Sequence, residues 1–226
     1  MTARLLCLLL TLLASLPAAA QEPCPARRNV DCAGAARAID AAIAADPWLA
    51  IMDRAQRMRL DELAPLLGAD SAAELAAQQA AWRRSLSRNL FFHPDGTLDA
   101  PDPRAVLRAA MEYRLMQLIR IEHDPSASID GIWAGVQGEV TVEILGGGSY
   151  RISAGTADIN NLAWTCGYEG EGESTRVEWL ETRDGALELR REGVMLRVRM
   201  TLPQANGFCG AAGSLSGLFF RIGDVR

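Results

Sequence analysis

The chain has 226 residues, with 28 acidic side chains against 23 basic ones, and a net charge of −5 at pH 7. All the basic side chains are arginine, and they form no basic stripe, which argues against nucleic acid or an anionic membrane surface as the partner. The length admits one large domain or two small ones.

Met1–Ala20 has the order of a secretory signal. A single charge at Arg4 precedes an apolar run from Leu5 to Leu16, a break at Pro17 and the small residues Ala18, Ala19 and Ala20. Cleavage before Gln21 is expected, and the apolar run is shorter than the ~20 residues of a membrane span. The reading places the mature chain in the periplasm or outside the cell. Removing Cys7 with the signal leaves Cys24, Cys32, Cys166 and Cys209, an even set that reads as disulfides in an oxidising compartment. Three pairings are open. Cys24–Cys32 and Cys166–Cys209 are favoured, because each then lies within one expected domain. No CxxC pair supports a zinc site, and no metal or cofactor is expected.

Helical signals fill the first half. The alanine-rich stretch Cys32–Ala45 is expected to be a helix. Asp46 followed by Pro47 marks the start of a second, whose apolar positions Leu49, Met52, Leu60 and Leu63 run on to breakers at Pro65 and Gly68. A third opens on Ser71 and Glu74, spaced as a capping box, and carries Leu75, Trp82 and Leu86 on one face. The loop with Asp95, Asp99 and Asp102 lacks the ligand alternation of a calcium loop and reads as a connector with a cap at Asp102. A fourth helix from Pro103 to Glu122 presents Leu107, Met111, Leu115 and Leu118. Together these segments predict a small antiparallel bundle over residues 21–124.

These residues resemble the LprI-type lysozyme-inhibitor N-terminal-like domain. The resemblance rests on Asp31-Cys32, Ile43, Asp46-Pro47-Trp48-Leu49, Asp53, Gln79 with Trp82, and Tyr113-Arg114, over roughly ninety residues. The family's second cysteine is Ala44 here and its later pair is missing, which leaves Cys32 to a new partner, Cys24. The resemblance implies an exported helical domain and, by analogy, inhibition of a lysozyme.

After Pro125 the period changes to two. Strands are expected at Gly131–Gly135, Glu139–Leu145, Tyr150–Ala154, Leu162–Glu169, Thr175–Glu181, Ala186–Arg190, Val194–Thr201 and Ser216–Ile222. Gly146–Gly148 and Asp184-Gly185 sit where hairpins need positive φ. The fold class is therefore α+β: a helical bundle, then an antiparallel barrel or sandwich over residues 129–226, with Trp133, Trp164 and Trp179 expected inside. The expected Glu169–Ser174 hairpin has the reach to enter a partner's cleft.

No GxSxG motif, free thiolate or paired histidine points to a reaction, so no catalytic residue is assigned and the chain is read as a non-enzyme. The acidic cluster Glu169, Glu171, Glu173, Glu178 and Glu181 is the candidate partner-binding surface, with Arg176 the only base among them in sequence. Acidity concentrates in this half: residues 21–127 hold 13 arginines and 15 acids, residues 128–226 hold 9 and 13. Such a patch steers a basic protein such as a lysozyme-type wall hydrolase. The alternative is a barrel that carries a small apolar ligand, or a passive envelope component.

Overall fold

The computed structural model describes residues 32–90, 102–159, 163–176, 178–202, 207–210 and 213–225. Four helices come first: α1 (Cys32–Ala45), α2 (Pro47–Leu67), α3 (Ala69–Leu90) and α4 (Pro103–Arg120). Eight strands follow: β1 (Gly131–Gly135), β2 (Gly138–Gly146), β3 (Ser149–Ala157), β4 (Thr165–Arg176), β5 (Trp179–Thr182), β6 (Leu187–Glu192), β7 (Met195–Met200) and β8 (Gly217–Gly223). The strands close in chain order into an antiparallel barrel, so the α+β expectation holds and the choice between barrel and sandwich falls to the barrel. The signal segment, Cys24 with its expected pairing to Cys32, and the loop carrying Asp95 and Asp99 lie outside the described residues.

Helix starts follow the capping chemistry. The Asp46 carboxylate accepts from the Trp48 and Leu49 amides, and Asp102 accepts from those of Arg104 and Ala105. Asp46 also takes an ion pair from Arg108 at 2.7 Å, which joins the start of α2 to α4. That bond to Arg108 is the main reason its carboxyl sits below the usual range. A lowered folded pKa stabilises fully above the ordinary carboxylate value near ~4 and fades as pH falls through the folded one. Asp46→Ala should lower the melting temperature at pH 7 and shrink its acid-side slope. Asp46→Asn keeps a cap oxygen but loses the ion pair, so its melting temperature should fall between the two. Equal melting temperatures for the alanine variant and the parent would remove the junction from the account.

α2 ends at Leu67 with Gly68 as its cap, within the expected Pro65–Gly68 stop; Pro65 itself lies inside the helix, whose last turn is held by the buried Leu63 and Leu67. The start of α3 differs from the expectation. α3 begins at Ala69, ahead of Ser71, since Gly68 at φ 77° turns the chain without a capping loop.

The barrel interior is one apolar cluster. Trp133, Val140, Val142, Ile152, Leu180, Leu187, Leu189, Leu196 and Phe219 are each no more than 1% exposed. Trp133 donates its indole N–H to the Ile129 carbonyl at 2.9 Å, which satisfies its polar atom in that core. Trp164 packs against the cluster from its edge. Trp179 departs from the expectation and faces outward: β5 alternates so that Leu180 and Thr182 take the inside.

Glu169–Ser174 is not a hairpin tip either. β4 runs unbroken through it, paired with β3 from Ser149↔Glu173 to Ala157↔Thr165. The two glycines of this stretch are space-makers. A Cβ on Gly170 would meet the Tyr168 hydroxyl at 2.3 Å, and one on Gly172 would meet Ile152 Cδ1 at 2.7 Å.

Bundle and barrel share a second core in which Leu63, Leu67, Leu75, Leu118 and Ile121 meet Val194, Met195 and Phe220. The segment between α4 and β1 is clamped as well. The Glu122 amide donates to the Arg221 carbonyl at 2.9 Å, and the Arg221 guanidinium bonds the Glu122 and Asp224 carboxylates and the Asp130 carbonyl.

Candidate functional site

The outer surface of β4, β5 and β6 collects the acidic residues singled out in the sequence. Alternation on β4 sends Cys166 and Tyr168 inward and Glu169, Glu171 and Glu173 outward. Register then orders them into rows across the sheet. Glu173 lies opposite Glu181, and Glu181 lies opposite Glu188 on the next strand, so three carboxylates stand side by side on three neighbouring strands.

Like charges directly opposite one another destabilise a sheet. Flanking arginines offset part of that. Arg183 bonds both Glu171 and Glu173, Arg199 bonds Glu188, and Arg191 bonds Glu178 at the β4–β5 turn. Arg151, opposite Glu171 in the register, bonds Glu143 at 2.5 Å. Glu169 and Glu181, both exposed, form no ion pair among the described residues, and Glu181 is the middle member of the row. Glu178 separates from the other four: it sits at the turn, at φ 69°, held by Arg191.

One repeat along the strands the charge reverses. Arg176, Trp179, Arg190 and Arg197 are opposite one another in turn on β4, β5, β6 and β7. A bulge between Ser174 and Arg176 changes the parity of β4, so that Glu173 and Arg176 face the same side. The guanidinium carbons of Arg176 and Arg190 lie 5.6 and 5.5 Å from the Trp179 ring centroid, one from the strand on each side. Each such contact is worth about 0.5–1 kcal/mol at an exposed site. Neither arginine forms an ion pair among the described residues. Arg197 differs, holding Glu192 with two bonds at 2.9 and 2.8 Å; its guanidinium keeps the Glu192 carboxyl below the usual range.

Sequence reading found the glutamates but missed Glu188 and the Arg176–Trp179–Arg190 stack. Strand alternation was the available signal for Glu188. The stack depends on the bulge, which no residue pattern announces.

The row ends at a shallow cleft of about 630 Å³ between α3 and the barrel, lined by Asp70, Glu74, Glu192, Met195, Arg197 and Leu218. Two of these lining residues are tied together by Gln78, which donates to Glu74 at 3.0 Å and to the Leu218 carbonyl at 2.9 Å. Among the described residues no group of three His, Cys, Asp or Glu side chains is placed to hold a metal ion.

The Cys166–Cys209 disulfide is present, bridging 43 positions of chain. No helix among the described residues is long and apolar enough to cross a membrane. No protein-family model matches the chain, and no curated protein or solved structure is detectably similar to it.

Proposed function

We propose that this is an exported, non-catalytic binding protein that presents the outer face of β4–β6 to a basic protein, a lysozyme or another cell-wall hydrolase being the candidate class. The observation that carries the reading is the row Glu173–Glu181–Glu188, only partly offset by arginines at its two ends. A sheet gains nothing in stability from three adjacent carboxylates with an unpaired member at the centre. Sites that break a local rule of stability are where function is expected. The disulfide fits an oxidising compartment, and the motif resemblance of the bundle supports the same class of partner. The tightly filled barrel interior favours a surface binder over a carrier of apolar ligands.

The test replaces Glu169, Glu171, Glu173, Glu178 and Glu181 together by glutamine. Association with a basic hydrolase should slow by at least about tenfold at low salt and change little at high salt, where exposed charges are screened. The melting temperature should change little, because the row loses its repulsion while Arg183 and Arg191 lose their carboxylates. Stopped-flow association across a hydrolase panel reads the first effect. Unchanged rates would reject this face as the contact.

A further inference from the structure

The glutamate and arginine rows lie side by side on one face, and we infer that this face is self-complementary and pairs with a second copy of the chain about a two-fold axis. The Arg176–Trp179–Arg190 stack is the observation the preceding reading leaves unused, since two unpaired guanidiniums repel a basic partner. The inference stands whether or not a hydrolase binds.

The geometry is fixed by the register. Glu173, Glu181 and Glu188 occupy β4, β5 and β6, and Arg176, Trp179 and Arg190 occupy the same three strands in the same order. Two residues of strand separate the rows on β5 and β6, about 7 Å. A two-fold axis lying between the rows and parallel to them turns the acidic row of one copy over the basic row of the other. Position along the row is kept. Glu173 then meets Arg176 of the second copy, Glu188 meets its Arg190, and Glu181 rests over its Trp179 between the two guanidiniums. The same contacts repeat on the other side of the axis, as an isologous interface requires.

Charge explains why the rows wait for a partner copy. Among the described residues Glu181 has no ion pair, and neither have Arg176 and Arg190, whose guanidiniums are held over the Trp179 ring. The ring fixes the two cations in place, so less side-chain freedom is lost on association. Trp179, only half-buried in the single copy, supplies the apolar centre that interfaces favour. A dimer built this way hides the acidic row, so self-association and capture of a basic protein exclude each other.

The test uses the oxidised full chain in sedimentation velocity at low and high salt. The parent should dimerise at low salt and dissociate at high salt. Glu181→Arg places a cation between Glu173 and Glu188, and Arg190→Glu places an anion opposite Arg197. Both substitutions relieve like-charge neighbours within one chain, so neither threatens folding. Each variant alone should dimerise at least about tenfold more weakly, a change of about 1.4 kcal/mol. Mixed in equal amounts they should associate more tightly than either variant alone, because one side of the heterodimer keeps every parental contact. A parent that stays monomeric at low salt up to millimolar concentration overturns the inference. So does a dimer that both variants leave intact, or a mixture that associates no more tightly than the variants alone.

Discussion

Replacing Cys166 and Cys209 together by alanine should destabilise the protein by about 4 kcal/mol, the chain-entropy value for a loop of this length. For a chain of this size that lowers the melting temperature by roughly 8–16 °C. The bond matters because of what it anchors. β5 pairs with β4 only from Gly172 onward, so the earlier part of β4 has no strand on that side. The connection between β7 and β8 crosses to fill it. Cys209 bridges Cys166, the Gly167 amide donates to the Phe208 carbonyl at 2.8 Å, and the Gly210 amide donates to the Thr165 carbonyl at 2.9 Å. Phe208 meets the Tyr168 ring edge-on at 5.2 Å. The disulfide therefore pins a plug into the open side of the barrel. Denaturant melts of the oxidised parent, the reduced parent and the double variant measure the loss, and hydrogen exchange at Gly167 and Gly210 locates it. Slow exchange at those two amides in the double variant would show that the plug seats without the bond.

Strand alternation made most of the barrel readable in advance. Val140 and Val142 enter the core, as do Leu196 and Val198, and the turn glycines stand where positive φ is needed. The site was less legible because it depends on pairing rather than on local pattern. Glu169–Ser174 was expected as a hairpin, yet Gly170 and Gly172 there clear room for Tyr168 and Ile152 within one strand. That misreading split one long strand and turned a flat charged face into an imagined loop. The bulge before Arg176 then decided which side Trp179 shares with its arginines. In the bundle, Asp46, Gln79 and Arg114 were each visible as motif residues. That Arg108 reaches Asp46, and that Gln79 reaches Arg114, follows only from how the helices pack.

Gln79→Leu should cost about 3 kcal/mol, out of proportion to the loss of one half-buried amide. Arg114 is 3% exposed and has no carboxylate partner among the described residues. Its Nε donates to Gln79 Oε1 at 2.8 Å, one terminal nitrogen donates to Gln117 Oε1 at 3.3 Å, and the other has no acceptor. Burial pushes the guanidinium down to about 10, which still leaves it charged at neutral pH. Its pKa is lower folded than unfolded, so the penalty is complete below the folded value and eases only as pH rises through it. A melt at pH 7 therefore reads the full cost. Amide dipoles offset that cost. Gln79 Nε2 donates to Gln56 Oε1 at 3.0 Å, and Gln56 Nε2 donates to the Met111 carbonyl at 2.9 Å. Every oxygen in this relay points back toward the cation, and the relay threads α2, α3 and α4. Arg114→Met alone removes the charge and leaves the Gln79 and Gln117 oxygens without their donor, both on half-buried amides, a loss of about 1 kcal/mol. The two substitutions together remove the cation and its acceptor at once, leave Gln56 Oε1 without its donor, and should recover most of the loss seen with Gln79→Leu alone. A double-mutant cycle by urea denaturation measures the coupling, expected at about 2 kcal/mol or more. Additive losses would mean that the relay does not act as a unit. With strong coupling, the buried cation fixes which faces of three helices meet, since any other register strands a charge in the core.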